Sequence, residues 1–201
     1  MPRAILFILF GYLSGSVLYA RVAAQLFHKE SIFQDSPDEN PGTSNAFVYG
    51  GFRCGLLTLV GDVTKGFLPV YCFLHSFVPE TSVVPMALVM AAPVIGHAFP
   101  VFYRFRGGKG IAVSFGCLLG LLPVWKPLAI LALFFLFFSI ILQITPHFYR
   151  TFVTYLCSAV TVALLVRIPG ITVGFLLISG IVCLRLHISK ETREAMKVRL
   201  L

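Results

Sequence analysis

Long apolar runs with few charges, broken by Pro, Gly and clustered charge, set the pattern of this chain. They predict helical spans at residues 5–27, 52–78, 83–103, 111–122, 128–144, 152–166 and 171–186. Most approach the roughly 20 residues that a helix needs to cross about 30 Å of hydrocarbon, and the fourth is short. Only helices or closed barrels satisfy every backbone group in lipid, and the alternating ten-residue strand pattern of a barrel is missing. The expected fold is therefore an all-α integral membrane protein of seven transmembrane helices, joined by short re-entrant or interfacial loops. Residues 1–201 read as a single membrane-embedded domain without an internal repeat.

The first run lacks a small-residue cleavage site and is followed closely by further apolar runs, so it reads as a retained span rather than a signal peptide. Placing the N-terminus outside leaves Arg21, Lys29, Arg53, Arg104, Arg106, Lys109, Arg150, Arg185, Lys190, Arg193, Lys197 and Arg199 in or near cytoplasmic segments. Only Arg3, Lys126 and Arg167 then face outward. The positive-inside tendency favours that orientation.

Composition agrees with the pattern. Of 201 residues, 58% are hydrophobic and 12% charged, against about 25% charged in an ordinary soluble domain. The net charge of +8 is spread between apolar spans instead of being gathered in one module. Anionic lipid headgroups, not nucleic acid, are the expected counter-charge. Cys54, Cys72, Cys117, Cys157 and Cys183 stand singly in or beside apolar stretches, with no metal-ligand spacing, and are expected to pack.

Polar residues concentrate in four places. Segment 36–45 is rich in short polar side chains and turn formers. It fits either a solvated loop whose Ser44 or Asn45 caps the next helix, or a loop that presents backbone N–H groups to an anion. Asp62 and Lys65, three residues apart inside the second run, share one helical face. They form a structural ion pair or border a functional cavity.

Segment 96–110 carries the strongest signal, joining His97 to the basic, glycine-rich turn Arg106-Gly107-Gly108-Lys109-Gly110. Glycines let the backbone approach a phosphate, Lys109 supplies a point charge, and the following helix adds its N-terminal dipole. Because Gly110 follows the lysine, the segment is not a P-loop; a loop contacting lipid headgroups is the plainer reading. After the last run, Arg185, His187, Lys190, Arg193, Lys197 and Arg199 fit a basic tail on anionic lipid, with a ligand role for His187 or Arg193 as the alternative.

The order and spacing of these motifs resemble the bacterial membrane acyl-phosphate:glycerol-3-phosphate acyltransferases of the PlsY type. The resemblance rests on segments 61–69, 96–102 and 105–110, with Gly15-Ser16 as a weaker first element, and covers essentially the whole chain. It implies a seven-helix enzyme of the inner membrane, its site facing the cytoplasm, that moves a fatty acyl group from acyl-phosphate to the 1-hydroxyl of glycerol 3-phosphate. Lysophosphatidate and phosphate would leave, with no metal, organic cofactor or covalent acyl-enzyme implied.

Carried onto this chain, the resemblance implies catalytic roles for Lys109 and His97. It implies substrate binding by Asn40, Gly42, Ser44, Asn45, Lys65, Gly107, Gly108, Gly110, His187, Lys190 and Arg193. Lys109 and the loop amides would hold phosphate oxygens and stabilise developing charge; His97 would orient the loop or assist proton transfer.

Three positions depart from the family pattern. Asp38 stands where the family has serine, Val48 where it has a substrate-binding arginine, and Lys190 where it has asparagine. An ionised aspartate repels phosphate, and valine offers no guanidinium. Arg53 and Lys190 are candidate replacements for the missing charge. The departures leave open an acyltransferase with another small phosphorylated or hydroxylated acceptor, and a catalytically weakened paralogue that binds lipid or acyl-phosphate in regulation. A small transporter is disfavoured, because the charges cluster toward one face.

Overall fold

The computed structural model describes residues 2–29, 32, 36, 38–76, 82–189 and 193–201. The first apolar run forms two helices, α1 (Pro2–Gly15) and α2 (Tyr19–Leu26), with a break between them. A short helix, α3 (Thr43–Gly50), precedes the long α4 (Phe52–Leu74), which contains Pro69. Then come α5 (Val83–Ala98), the 3-10 turn Val101–Tyr103, α6 (Ile111–Leu119) and α7 (Lys126–Leu136). A π-turn, Phe137–Ile141, prolongs α7 into strand β1 (Leu142–Thr145). Helices α8 (His147–Leu165) and α9 (Pro169–Ile188) and strand β2 (Lys197–Leu200) complete the order.

Among the described residues, five stretches are long and apolar enough to cross a membrane: Arg3–Leu26, Phe52–Leu74, Val83–Tyr103, His147–Leu165 and Pro169–Ile188. The predicted fourth and fifth segments are shorter as helices. Nine residues in α6 rise only about 14 Å at 1.5 Å each. The end of the predicted fifth segment is not helical: β1 pairs antiparallel with β2, Leu142 opposite Leu200 and Thr145 opposite Lys197. That run of Leu, Gln, Ile and Thr is β-tolerant and is followed by Pro146, so periodicity alone merged it with the preceding helix.

Small residues let the helices approach closely. A Cβ on Gly15 would overlap the carbonyl of Pro93, and one on Gly96 the carbonyl of Tyr12, so α1 and α5 pack backbone against backbone. Gly66 meets Val113 and Gly116 meets Val63 in the same way, seating α6 against α4. The interior gathers Phe73, Met90, Leu118, Leu131, Tyr155, Phe175, Ile178 and Leu186 from six helices. Leu6, Leu133 and Leu164 point outward at 65–71% exposure, as apolar residues do when lipid is their solvent.

Candidate functional site

The break between α1 and α2 turns a backbone carbonyl inward. Val17 O accepts a hydrogen bond from Lys65 Nζ at 2.6 Å. The same ammonium lies 2.6 Å from Asp62 Oδ1 and 2.9 Å from His97 Nδ1. Its three donors are thus matched by three acceptors, which is what an ammonium at 2% exposure requires. With Lys65 donating, His97 Nδ1 accepts, and in the neutral ring the proton sits on Nε2. The helical spacing of Asp62 and Lys65 therefore produces the expected ion pair, and the pair also borders a cavity.

His97 reaches the glycine-rich loop from both ends. Its carbonyl accepts a hydrogen bond from Gly108 N at 3.0 Å, while its Nε2 occupies the space that a Cβ on Gly108 would need. Arg185 on α9 holds the other side of the loop, donating from Nε to Gly108 O at 3.3 Å and from Nη2 to Gly107 O at 2.5 Å. Arg104 and Phe105 adopt left-handed φ of 51° and 60° on the approach to it. Gly110 at φ 82° turns the chain into α6, and its carbonyl accepts both Ser114 N and Ser114 Oγ. The loop is thereby fixed with Lys109 carried inward, 8% exposed.

Facing Lys109 is segment 38–45. Asp38 Oδ2 lies 2.8 Å from Lys109 Nζ, and Asp38 Oδ1 accepts Asn45 Nδ2 at 2.8 Å and Asn40 N at 3.2 Å. Asn45 Nδ2 also donates to Asn40 O at 2.9 Å. The capping reading of Ser44 and Asn45 is corrected here: Gly42 is the N-cap of α3, no side chain caps it, and Asn45 is turned back onto Asp38. Burial alone would raise the Asp38 carboxyl, but the hydrogen bond and charge of Lys109, with Asn45 and Asn40 N–H, hold it below its ordinary value.

Between these walls lies a cavity of about 470 Å³. Asp38, Asn40, Gly42, Thr43, Ser44, Asn45, Asp62, His97, Lys109, Gly110 and His147 supply its polar side, and Leu59, Ile111, Ala112 and Phe115 its apolar side. The N-termini of α3 and α6 both open into it, adding two sets of unpaired backbone N–H groups to one buried ammonium. A second cavity of about 640 Å³ meets the first at Asp38 and Asn40, and is lined by Arg21, Arg106, Gly107 and Arg185.

Most sequence-derived site residues meet here: Asn40, Gly42, Ser44, Asn45, His97, Lys109 and Gly110 line the first cavity and Gly107 the second. Gly108 and Lys65 stand behind the wall, each against the His97 ring. His187 and Arg193 are exposed and line neither cavity; an Arg193 guanidinium nitrogen hydrogen-bonds the His187 carbonyl, and the group lies 5.1 Å over the Phe148 ring. Lys190 lies outside the described residues. Val48 is 70% exposed, and neither it nor Arg53 lines either of these two cavities. Sequence reading missed Arg185 as the brace of the loop and His147 as a wall residue; both sit on helices whose registers place them at the site without any local motif.

Fold and site together define a multi-pass helical membrane protein with a half-polar, half-apolar cavity that a buried lysine lines. A PlsY (YgiH) crystal structure, described as an integral membrane glycerol 3-phosphate acyltransferase in its glycerol 3-phosphate form, superposes with a TM-score of 0.78. It is 24% identical and the match covers 92% of this chain and 88% of that one. The lysophosphatidic acid form gives 0.73, covering 91% and 87%.

The chain belongs to the glycerol-3-phosphate acyltransferase family, whose model matches residues 5–195. A glycerol-3-phosphate acyltransferase of Burkholderia ambifaria is 40% identical over 116 residues, 58% of this chain and 53% of that relative. One from Janthinobacterium sp. is 40% identical over 121 residues, 59% of each. The chain thus spans little more than half the length of the curated relatives it matches.

Proposed function

We propose that this protein is a membrane acyltransferase that moves a fatty acyl group from acyl-phosphate to the 1-hydroxyl of glycerol 3-phosphate, releasing lysophosphatidate and phosphate for phospholipid synthesis. The observation that carries the reading is Lys109, buried in a cavity into which the N-termini of α3 and α6 both open. An acyl-phosphate fits that cavity by halves. Its phosphate meets Lys109 and the first amides of α6, and its chain leaves past Leu59, Ile111 and Phe115. As the acceptor oxygen attacks the acyl carbon, charge builds on the carbonyl and leaving phosphate, where Lys109 and those amides stabilise it. His97 acts as a positioning residue: Nδ1 is held by Lys65 and its carbonyl holds Gly108.

The proposal extends to seven membrane helices, with α6 and α7 as the short fourth and fifth, an outside N-terminus, and a site on the cytoplasmic side of a bacterial inner membrane. The inward-side excess of Lys and Arg supports that orientation. A second reading, transfer to another hydroxyl acceptor, is favoured by two observations: Asp38 pairs with Lys109, and Val48 is exposed and lines neither cavity.

Purified protein incubated with palmitoyl-phosphate and a panel of acceptors tests both readings, with phosphate release and acylated product followed by mass spectrometry. Lysophosphatidate that disappears in Lys109→Ala supports the first. Acylation of a different acceptor only supports the second. Donor binding without any turnover removes both and leaves a lipid-binding role.

A further inference from the structure

Strand β1 joins two apolar segments. It follows the apolar stretch Lys126–Ile141, and Pro146 alone separates it from α8, a helix long enough to cross a membrane. The chain thus runs through β1 where it leaves one apolar segment and enters the next, which is the level of a bilayer surface. Strand β2 lies outside it. All four β2 residues are exposed, whereas Ile144 of β1 is 4% exposed, and the pairing continues past the strands through Leu201 N donating to Ile141 O at 3.0 Å.

The register sorts the ribbon into two faces, because partners across an antiparallel pair point the same way. Leu142 with Leu200 and Ile144 with Val198 make an apolar face; Gln143 with Arg199 and Thr145 with Lys197 make a polar, basic one. Ile144 is buried, but Val198 at 50% and Leu200 at 71% exposure are left uncovered, and Ile140 and Ile141 just before β1 are exposed as well. These apolar side chains favour hydrocarbon. The sheet, however, has two strands among the described residues, and the amides and carbonyls on its open edges cannot be satisfied in hydrocarbon. A hydrated headgroup boundary meets both requirements, and it supports a two-stranded ribbon that is marginal in water by itself.

Charge selects the kind of lipid. Between Arg193 and Leu201, the cations Arg193, Lys197 and Arg199 stand against one acidic side chain, Glu194. Arg193 lies over Phe148 in the first turn of α8, so its charge belongs to the same end of the bundle as β1. We propose that the β1–β2 ribbon is a docking surface for an anionic lipid leaflet: Val198 and Leu200 dip below the phosphates, and Lys197 and Arg199 reach them from the basic face. His147, which follows Pro146 directly, lines the Lys109 cavity, so the docked ribbon holds that wall of the cavity beside the headgroups.

Tryptophan fluorescence tests the docking. Trp125 is the chain's only tryptophan, so Trp125→Phe supplies a dark background. Into it go Leu200→Trp on the apolar face and Gln143→Trp on the basic face, with Val198→Trp repeating the first reading should Leu200→Trp disturb the pairing. The full chain is reconstituted in vesicles of phosphatidylcholine alone or with an equal part of phosphatidylglycerol, each carrying lipid brominated near the headgroup end of its tails. Leu200→Trp is expected to emit to the blue and to be quenched by bromine, more strongly with phosphatidylglycerol, and Gln143→Trp to be quenched less. Each basic residue at an anionic surface favours association about fivefold, so adding Lys197→Glu and Arg199→Glu should abolish the phosphatidylglycerol dependence. Water-like emission without quenching in both vesicles overturns the proposal. Blue emission without quenching also overturns it, since a second copy of the chain then covers the face, and quenching that ignores both phosphatidylglycerol and the charge reversals overturns the anionic partner.

Discussion

Gly108 lies against Nε2 of His97 so closely that a Cβ in its place would overlap the ring nitrogen. The glycine is thus a contact requirement as well as a turn residue, and it ties the imidazole to the loop that carries Lys109. Gly108→Ala should displace either the ring or the loop. An overpacking cost of about 1–3 kcal/mol is expected, seen as a lower melting temperature, together with a loss of kcat larger than the change in donor affinity. Wild-type turnover in that variant would mean that the loop tolerates a shift the geometry forbids.

The Lys65 ammonium can be examined by a double-mutant cycle. Lys65→Ala strands Asp62 at 1% exposure, and breaking such a buried pair typically costs about 3–5 kcal/mol. Removing both charges with Asp62→Ala and Lys65→Ala should cost less than removing Lys65 alone. Chemical denaturation in detergent reads the difference. Equal or greater loss in the double variant would show that Lys65 stabilises through Val17 O and His97 rather than through the carboxylate.

Acid stability of the empty site should report on Asp38. Its folded-state proton affinity lies below the ordinary value near 3.8, so its stabilising contribution is present above that pH and is lost as pH falls through the depressed value. Wild type should therefore lose stability relative to Asp38→Asn only below about pH 4. Melting curves between pH 3 and 7 provide the comparison, and a gap opening nearer pH 6 would contradict the Lys109 pairing.

Restoring the family arginine should not restore its contact. Val48 is 70% exposed and lines neither cavity, so Val48→Arg is expected to leave the KM for glycerol 3-phosphate unchanged within a factor of about 2. Steady-state kinetics over acceptor concentration decides this. A KM falling tenfold would mean that α3 rotates on substrate binding.

Five of the seven predicted spans and the ion pair of Asp62 and Lys65 were legible because both are local: one follows from apolar run length, the other from a three-residue helical step. The break at Gly15–Leu18 was not, since an apolar run looks the same whether its helix is continuous or interrupted. His97 joins Lys65 from 32 residues away, and Asp38 joins Lys109 from 71. Asp38 was read only as a repulsive neighbour for phosphate, because sequence shows a charge without its partner. Motif matching grouped His187 and Arg193 with the site, yet the last turn of α9 presents Arg185 to the loop and leaves His187 exposed.

The brevity of α6 has a consequence for traffic. A nine-residue helix is too short to cross a bilayer, and the cavity at its N-terminus has a polar wall around Lys109 and an apolar wall of Leu59, Ile111, Ala112 and Phe115. The cavity acts as a phase boundary: an amphiphile can present its head while its tail stays dissolved in the leaflet, and a water-soluble partner arrives from the other side. Neither has to change solvent to meet the other. A product that keeps a tail can then leave sideways, by lateral diffusion, with no tunnel through the protein.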